Sequence, residues 1–282
     1  MTGRRGGAAV VAALTLLVGC RADRAPTVAE GAAPPAAPAP GGSAPSAPPT
    51  TTVVVPGAAP GSAAAGAPAP SSRPGPVGSD ARAILGADGT AEIELEILAQ
   101  SGAEPRAGAV SHVARLLREV SGKPVSTVGA VVPGGEEQWT AARIAEVADR
   151  YGGRASASKA VVRLLFVHNS FAGGDDVLGV SVRSDLAAIF TDDVDEAASP
   201  LVPPSRIETA VVAHEVGHLL GLVDLVLHTG RADPEHPGHS VNPRSVMYWA
   251  LESDLVTDVL TGGPPIELDA DDRADLATIR GG

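Results

Sequence analysis

The sequence predicts an α/β (α+β) domain: a twisted, mixed sheet with helices packed on it. Three observations carry that prediction. Residues 91–97 alternate polar and apolar, which is the pattern of a strand. Apolar residues recur at helical spacing in 110–120 and 138–151. Residues 161–167 are a continuous apolar run, as expected of a strand buried on both faces. The order β-α-β-α-β is that of a mostly parallel sheet.

Each element has its own justification. In 91–97, Glu92, Glu94 and Glu96 give the strand one acidic face. Val113, Leu116, Leu117 and Val120 make one face of the first helix. Residues 124–132 read as a short apolar strand. The next helix carries Ile144, Val147 and Ala148 on one side and stops at Gly152-Gly153. Residues 178–182 and 186–190 read as two further short strands. A last helix starts at Pro204, where proline fits the first turn, and runs through Ile207, Ala210, Val211, His214, His218 and Leu219. With aromatics at only 2%, the core must rest on Val, Leu, Ile and Ala.

The N-terminal part has a different character. Arg4 and Arg5 precede an apolar run over 8–18, too short to span a bilayer but of the size of a signal-peptide core. It ends in Leu17-Val18-Gly19-Cys20, which resembles a bacterial lipobox. That resemblance implies cleavage before Cys20, lipidation of its thiol, and a chain anchored to the cell envelope on the periplasmic or outer side. It leaves the choice of inner or outer membrane open. Residues 21–79 hold fourteen prolines and read as a disordered Ala/Pro/Gly-rich tether. The organisation expected is therefore 1–20 signal, 21–79 tether and 80–282 folded domain. Cys20 is the single cysteine, which rules out an intramolecular disulfide framework and a Cys-only zinc site. The net charge is −12, and residues 80–282 alone carry 16 bases and 31 acids. An acidic domain repels phosphate backbones, so nucleic acid is not an expected partner.

The chemistry centres on His214-Glu215-Val216-Gly217-His218. Two histidines four apart on a helix lie on one face, one turn apart, so both imidazoles can reach one metal ion. Glu215, beside the first of them, is placed to act as a general base toward a water at that ion. Five residues alone are weak evidence, but the pattern extends. It continues Leu219-Leu220-Gly221-Leu222-Val223-Asp224, where Gly221 can end the helix and turn the chain. Ser245-Val246-Met247-Tyr248 lies downstream. In these features the sequence resembles the metzincin clan of zinc endopeptidases, with HExxHxxGxxD and a Met-turn at Met247 and Tyr248. The resemblance implies a metzincin-like sheet and one catalytic Zn²⁺ held by His214, His218 and a third ligand, with Glu215 as base. It also implies a peptide substrate added as a strand to an antiparallel sheet edge, for which 178–182 is the candidate.

The third ligand stays open. Position 224 is commonly His in the clan and is Asp here. The long link to Met247 holds His228, His236 and His239, and its Asp233-Pro234-Glu235-His236-Pro237-Gly238-His239 segment is stiff enough to present an imidazole. Asp224 is thus one candidate, His239 or His236 another, and His228 a third. His112 and His168 read as ordinary fold residues, and Tyr248 as packing. The loop 169–176 has calcium-type oxygen donors but no calcium-binding spacing, so a solvated loop is expected, as it is for Asp192, Asp193, Asp195 and Glu196. The function expected is a membrane-anchored zinc endopeptidase. The alternatives are a surface lipoprotein that binds metal without catalysis, and another zinc-hydrolase class with Glu252 as ligand.

Overall fold

The computed structural model describes residues 18–21, 74–87, 90–135, 138–174, 177–248 and 263–281. They belong to one compact unit formed by Met1–Arg24 and Ser71–Gly282. The apolar run before Val18, nearly all of the tether, Asp175, Asp176, Trp249 and Glu252 lie outside the described residues.

The strands are β1 (Val18–Arg21), β2 (Glu92–Gln100), β3 (Val125–Val132), β4 (Gln138–Trp139), β5 (Lys159–Val167), β6 (Ser170–Phe171), β7 (Val177–Arg183) and β8 (Leu186–Phe190). The helices are α1 (Ala81–Leu85), α2 (Ala107–Ser121), α3 (Ala141–Tyr151), α4 (Thr191–Glu196), α5 (Pro204–Leu219) and α6 (Ala270–Gly281). The main sheet has the order β1-β7-β8-β5-β2-β3. β3, β2, β5 and β8 are parallel, β7 runs antiparallel to β8, and β1 runs antiparallel to β7. β4 and β6 form a separate short parallel pair.

The helices lie on both faces because the crossovers run both ways. From β2 the chain steps outward to β3, then back past β2 to β5. Two right-handed crossovers in opposite directions place their helices on opposite faces. α2 and α5 bury their apolar sides with Ile93, Leu95, Val162, Leu164 and Phe166 in one cluster. α3 buries Ile144, Val147 and Ala148 with Trp139, Leu98, Leu165 and Phe190 in the other. Strands covered on both sides lose their alternation, and β5 is buried along nearly its whole length.

The acidic face of β2 is not a solvent face. Glu94 pairs with Lys159 at 2.8 Å. Glu96, 5% exposed, pairs with Arg163, which also bonds Asp185 and the Gly153 carbonyl. Gly152, at the end of α3, leaves room for that cluster: a Cβ there would lie 2.5 Å from Arg163 Nε. Residues 192–196 are helical rather than a turn, with Asp192 and Asp195 solvent-exposed as expected and Asp193 buried. They form α4, in which Asp192 accepts from the Asn169 N–H at 2.8 Å, Asp193 accepts from Ser170 Oγ at 2.9 Å, and Asp195 pairs with Arg106. Asn169 and Ser170, just after β5, and Arg106, ahead of α2, thus supply partners for three of these four acids. His112 and His168 serve the fold, on Ile266 O at 2.7 Å and Asp192 Oδ1 at 2.8 Å. Contacts with the domain begin ahead of Asp80: Gly75 N–H donates to Ser184 Oγ at 3.1 Å.

Candidate metal centre

α5 is the central helix of the site. From Ile207 to Leu219 every residue is buried, polar ones included. Near its start Glu208 is wholly buried and accepts from the Arg106 N–H at 2.7 Å, which ties α5 to the start of α2. Burial outweighs the Arg106 contacts and holds the Glu208 carboxyl above its usual range.

One turn apart on α5, His214 and His218 place their Nε2 atoms 3.0 Å from each other. His239 arrives from the loop after the helix, its ring 5.2 Å from that of His214 and 5.3 Å from that of His218. Each of the three offers one ring nitrogen, and these nitrogens lie within 4.8 Å of one another. His239 is placed by its backbone: its N–H donates to His236 O at 3.0 Å and its carbonyl accepts from Asp233 N at 2.7 Å. Ser240 then bridges to both Ala232 and Tyr248, closing the loop beneath the ring.

The other candidates for third ligand lie elsewhere. The chain leaves α5 through Gly221 at φ +82°, followed by Val223 at φ +54° and Asp224 at φ +62°. These left-handed residues turn Asp224 away, and its Oδ1 accepts from Thr229 N at 2.8 Å and Thr229 Oγ1 at 3.1 Å. His236 bonds Asp233 Oδ2 at 3.0 Å, and His228 is exposed. The structure thus brings His239, and not Asp224, to the α5 pair.

The residues present fit a metal ion. His214 Nδ1 bonds Val246 O at 2.7 Å, so this nitrogen carries the proton and Nε2 keeps its lone pair. His218 Nδ1 and both ring nitrogens of His239 are buried with no hydrogen-bond partner among the described residues. Unpaired buried polar atoms are costly, and one ring nitrogen from each of the three histidines can meet a common ion. Burial lowers the His214 pKa to about 3, with His239 adding to the effect. It also lowers His239 to about 4 and His218 well below the usual value. All three are neutral at neutral pH, the form that binds metal. Three imidazoles form a donor set suited to Zn²⁺.

Glu215 faces β7. Its Oε2 accepts from Ser181 Oγ at 2.8 Å, and the same hydroxyl lies 3.1 Å from the Glu215 carbonyl. Gly179 makes this approach feasible, since a Cβ there would lie 2.9 Å from Glu215 Oε1. On its outer side β7 pairs with Val18–Arg21, Gly19 against Val180 and Val18 against Ser181. That edge accepts an antiparallel strand directly beside the Glu215 partners.

Met247 lies under the helix, fully buried, against Gly217: a Cβ on Gly217 would be 2.3 Å from Met247 Sδ. Sequence reasoning did not reach Ser181, Ser245 or Asp272. Gly217, a glycine inside a helix at a cost of about 1 kcal/mol against alanine, signals the Met247 contact but none of these three.

No family model matches the sequence, and no curated protein does. Two solved structures resemble the chain. One is an archaemetzincin from Methanopyrus kandleri, 17% identical, with a TM-score of 0.44, covering 67% of this chain and 96% of that one. The other is a zinc-dependent peptidase from Methanocorpusculum labreanum (strain Z), 16% identical, with a TM-score of 0.41, covering 64% of this chain and 99% of that one. Likenesses this distant fix neither family nor activity.

Proposed function

We propose that the chain is a zinc-dependent endopeptidase whose metal is held by His214, His218 and His239. The observation that carries the reading is the group of three buried, neutral imidazoles with Glu215 beside it on the same helix. When bound, Zn²⁺ supplies a Lewis acid that polarises a carbonyl and makes water more acidic. Glu215, oriented by Ser181, takes a proton from the attacking water and returns it to the leaving amine. A peptide pairs with the outer edge of β7, which sets its scissile bond across from Glu215. Met247 and Gly217 keep the floor beneath the histidines dry and fixed.

The N-terminal sequence supports a lipid-anchored form in the bacterial cell envelope, processed before Cys20. Such cleavage would remove Val18 and Gly19, two of the residues paired with β7, and so release that edge. Labelling with a radioactive fatty acid, lost in Cys20→Ser, tests the anchor.

Zinc content and zinc X-ray absorption on the purified chain test the centre, with His239→Ala and Asp224→Ala beside it. One zinc per chain, lost in the first variant and kept in the second, is expected. A peptide-library screen then compares the parent with Glu215→Gln. Retained metal with lost turnover marks an enzyme. Retained metal with no turnover in either protein would favour a metal-binding module without catalysis.

A further inference from the structure

Val246 and Met247 share one peptide unit, and that unit is bonded at both ends. Its carbonyl accepts from His214 Nδ1 at 2.7 Å, and its N–H donates to Ser245 Oγ at 3.0 Å. Ser245 Oγ donates onward to Asp272 Oδ2 at 3.2 Å. His214, Ser245, Val246 and Met247 have no solvent exposure, and Asp272 is 7% exposed. From the structure we infer that Asp272 is a positioning residue for the metal centre, acting on His214 through the Ser245 hydroxyl and the Val246–Met247 peptide.

The physical basis is polarisation along a hydrogen-bonded chain. An amide whose N–H points toward an anion shifts electron density to its oxygen. A more basic Val246 oxygen draws harder on the Nδ1 proton of His214. That fixes the tautomer, holds the ring plane, and makes Nε2 a better donor to a metal. Asp272 is well placed for the task. It sits in the first turn of α6, and its Oδ2 also accepts from Asp269 N at 3.1 Å, while its own N–H donates to Asp269 Oδ1 at 2.8 Å. The reciprocal pair holds the carboxylate still.

Asp272 is a nearly buried carboxyl. Burial first, and then the charges of Asp269 and Asp275, push the Asp272 pKa up to about 6. The nearby cation Arg231 pairs with Asp275 at 2.9 Å.

The inference rests on His214 being a metal ligand, and the test separates the two claims. In the full chain, Asp272→Asn, Ser245→Ala and the double variant are compared with the parent at pH 8. Zinc affinity by chelator competition should fall about tenfold or more in each single variant, with little further loss in the double. In the metal-free proteins, the ¹⁵N and ¹H resonances of His214 Nδ1 should move toward a weaker hydrogen bond. Asp272→Asn should meanwhile be at least as stable to urea as the parent. Unchanged His214 resonances with an intact fold would overturn the inference, as would affinity losses that merely track losses of stability. A parent that takes up no zinc would sink the peptidase reading and the metal role of Asp272 with it, whereas a parent that binds zinc with unchanged His214 resonances in the variants would overturn the relay alone.

Discussion

Replacing Gly217 by alanine gives the sharpest test of the packing beneath the histidines. Two effects oppose each other. Alanine in a helix interior is about 1 kcal/mol more favourable than glycine. Against this, the new Cβ would stand 2.3 Å from Met247 Sδ and 3.1 Å from Met247 Cε, with Met247 fully buried. Carbon contacts settle at about 3.5–4.0 Å, so Met247 must retreat by about 1 Å or more. Overpacking of that kind costs about 1–3 kcal/mol. The net expectation is a loss of about 0–2 kcal/mol in the parent background. With Met247 first cut to alanine, the clash is gone and only the helix gain remains, so the same substitution should then stabilise by about 1 kcal/mol. The coupling between the sites is thus about 1–3 kcal/mol. Urea unfolding of all four proteins measures it, since 1 kcal/mol moves the midpoint by about 0.5 M at a slope of about 2 kcal/mol/M. Equal stabilisation by Gly217→Ala in both backgrounds would refute the reasoning, because Met247 would then not press on the helix.

Other outcomes follow from the same geometry. The metal-free chain should be acid-labile: His214, His218 and His239 have folded pKa values below their unfolded ones, so their contribution is intact above about pH 6.5 and lost as pH falls. Three such groups withdraw about 4 kcal/mol per pH unit below that point, and a flat stability profile from pH 7 to 5 after chelation would contradict it. Arg163→Met should cost about 3–5 kcal/mol in urea, since it leaves Glu96 and Asp185 buried without their shared cation; a change under 1 kcal/mol would show the cluster to be dispensable. Ser181→Ala should keep zinc but lower kcat about tenfold or more through a looser Glu215, whereas unchanged kcat would remove the hydroxyl from the mechanism.

Local pattern made much of this architecture readable. Periodicity sufficed for β2 and for α2, α3 and α5, and short apolar runs sufficed for β3, β5, β7 and β8. β4 and β6, two residues each, are too short to have one. α6 carries Asp271, Asp272 and Asp275 in its sequence and shows little apolar face, so only its tertiary partners reveal its purpose. The site divides the same way. His214, Glu215 and His218 share one helical turn, and spacing alone unites them. His239 is twenty-one residues further on, and its approach depends on the left-handed backbone at Val223 and Asp224. Such a conformation is rare for a β-branched residue, and nothing in the residue types announces it. The acids of β2 were legible as one face, but alternation does not show that Lys159 and Arg163 pair with Glu94 and Glu96 there.

The division of the core into two clusters has a practical side. Trp139 is fully buried in the cluster of α3, across the sheet from α5, with its indole N–H on His168 O at 2.9 Å. The only other tryptophan in the chain is Trp249. With that residue replaced by phenylalanine, emission would come from the far face alone and stay silent while metal enters or leaves the histidines. A change in it would then announce collapse of the whole sheet. One optical signal could thereby distinguish an emptied centre from an unfolded protein.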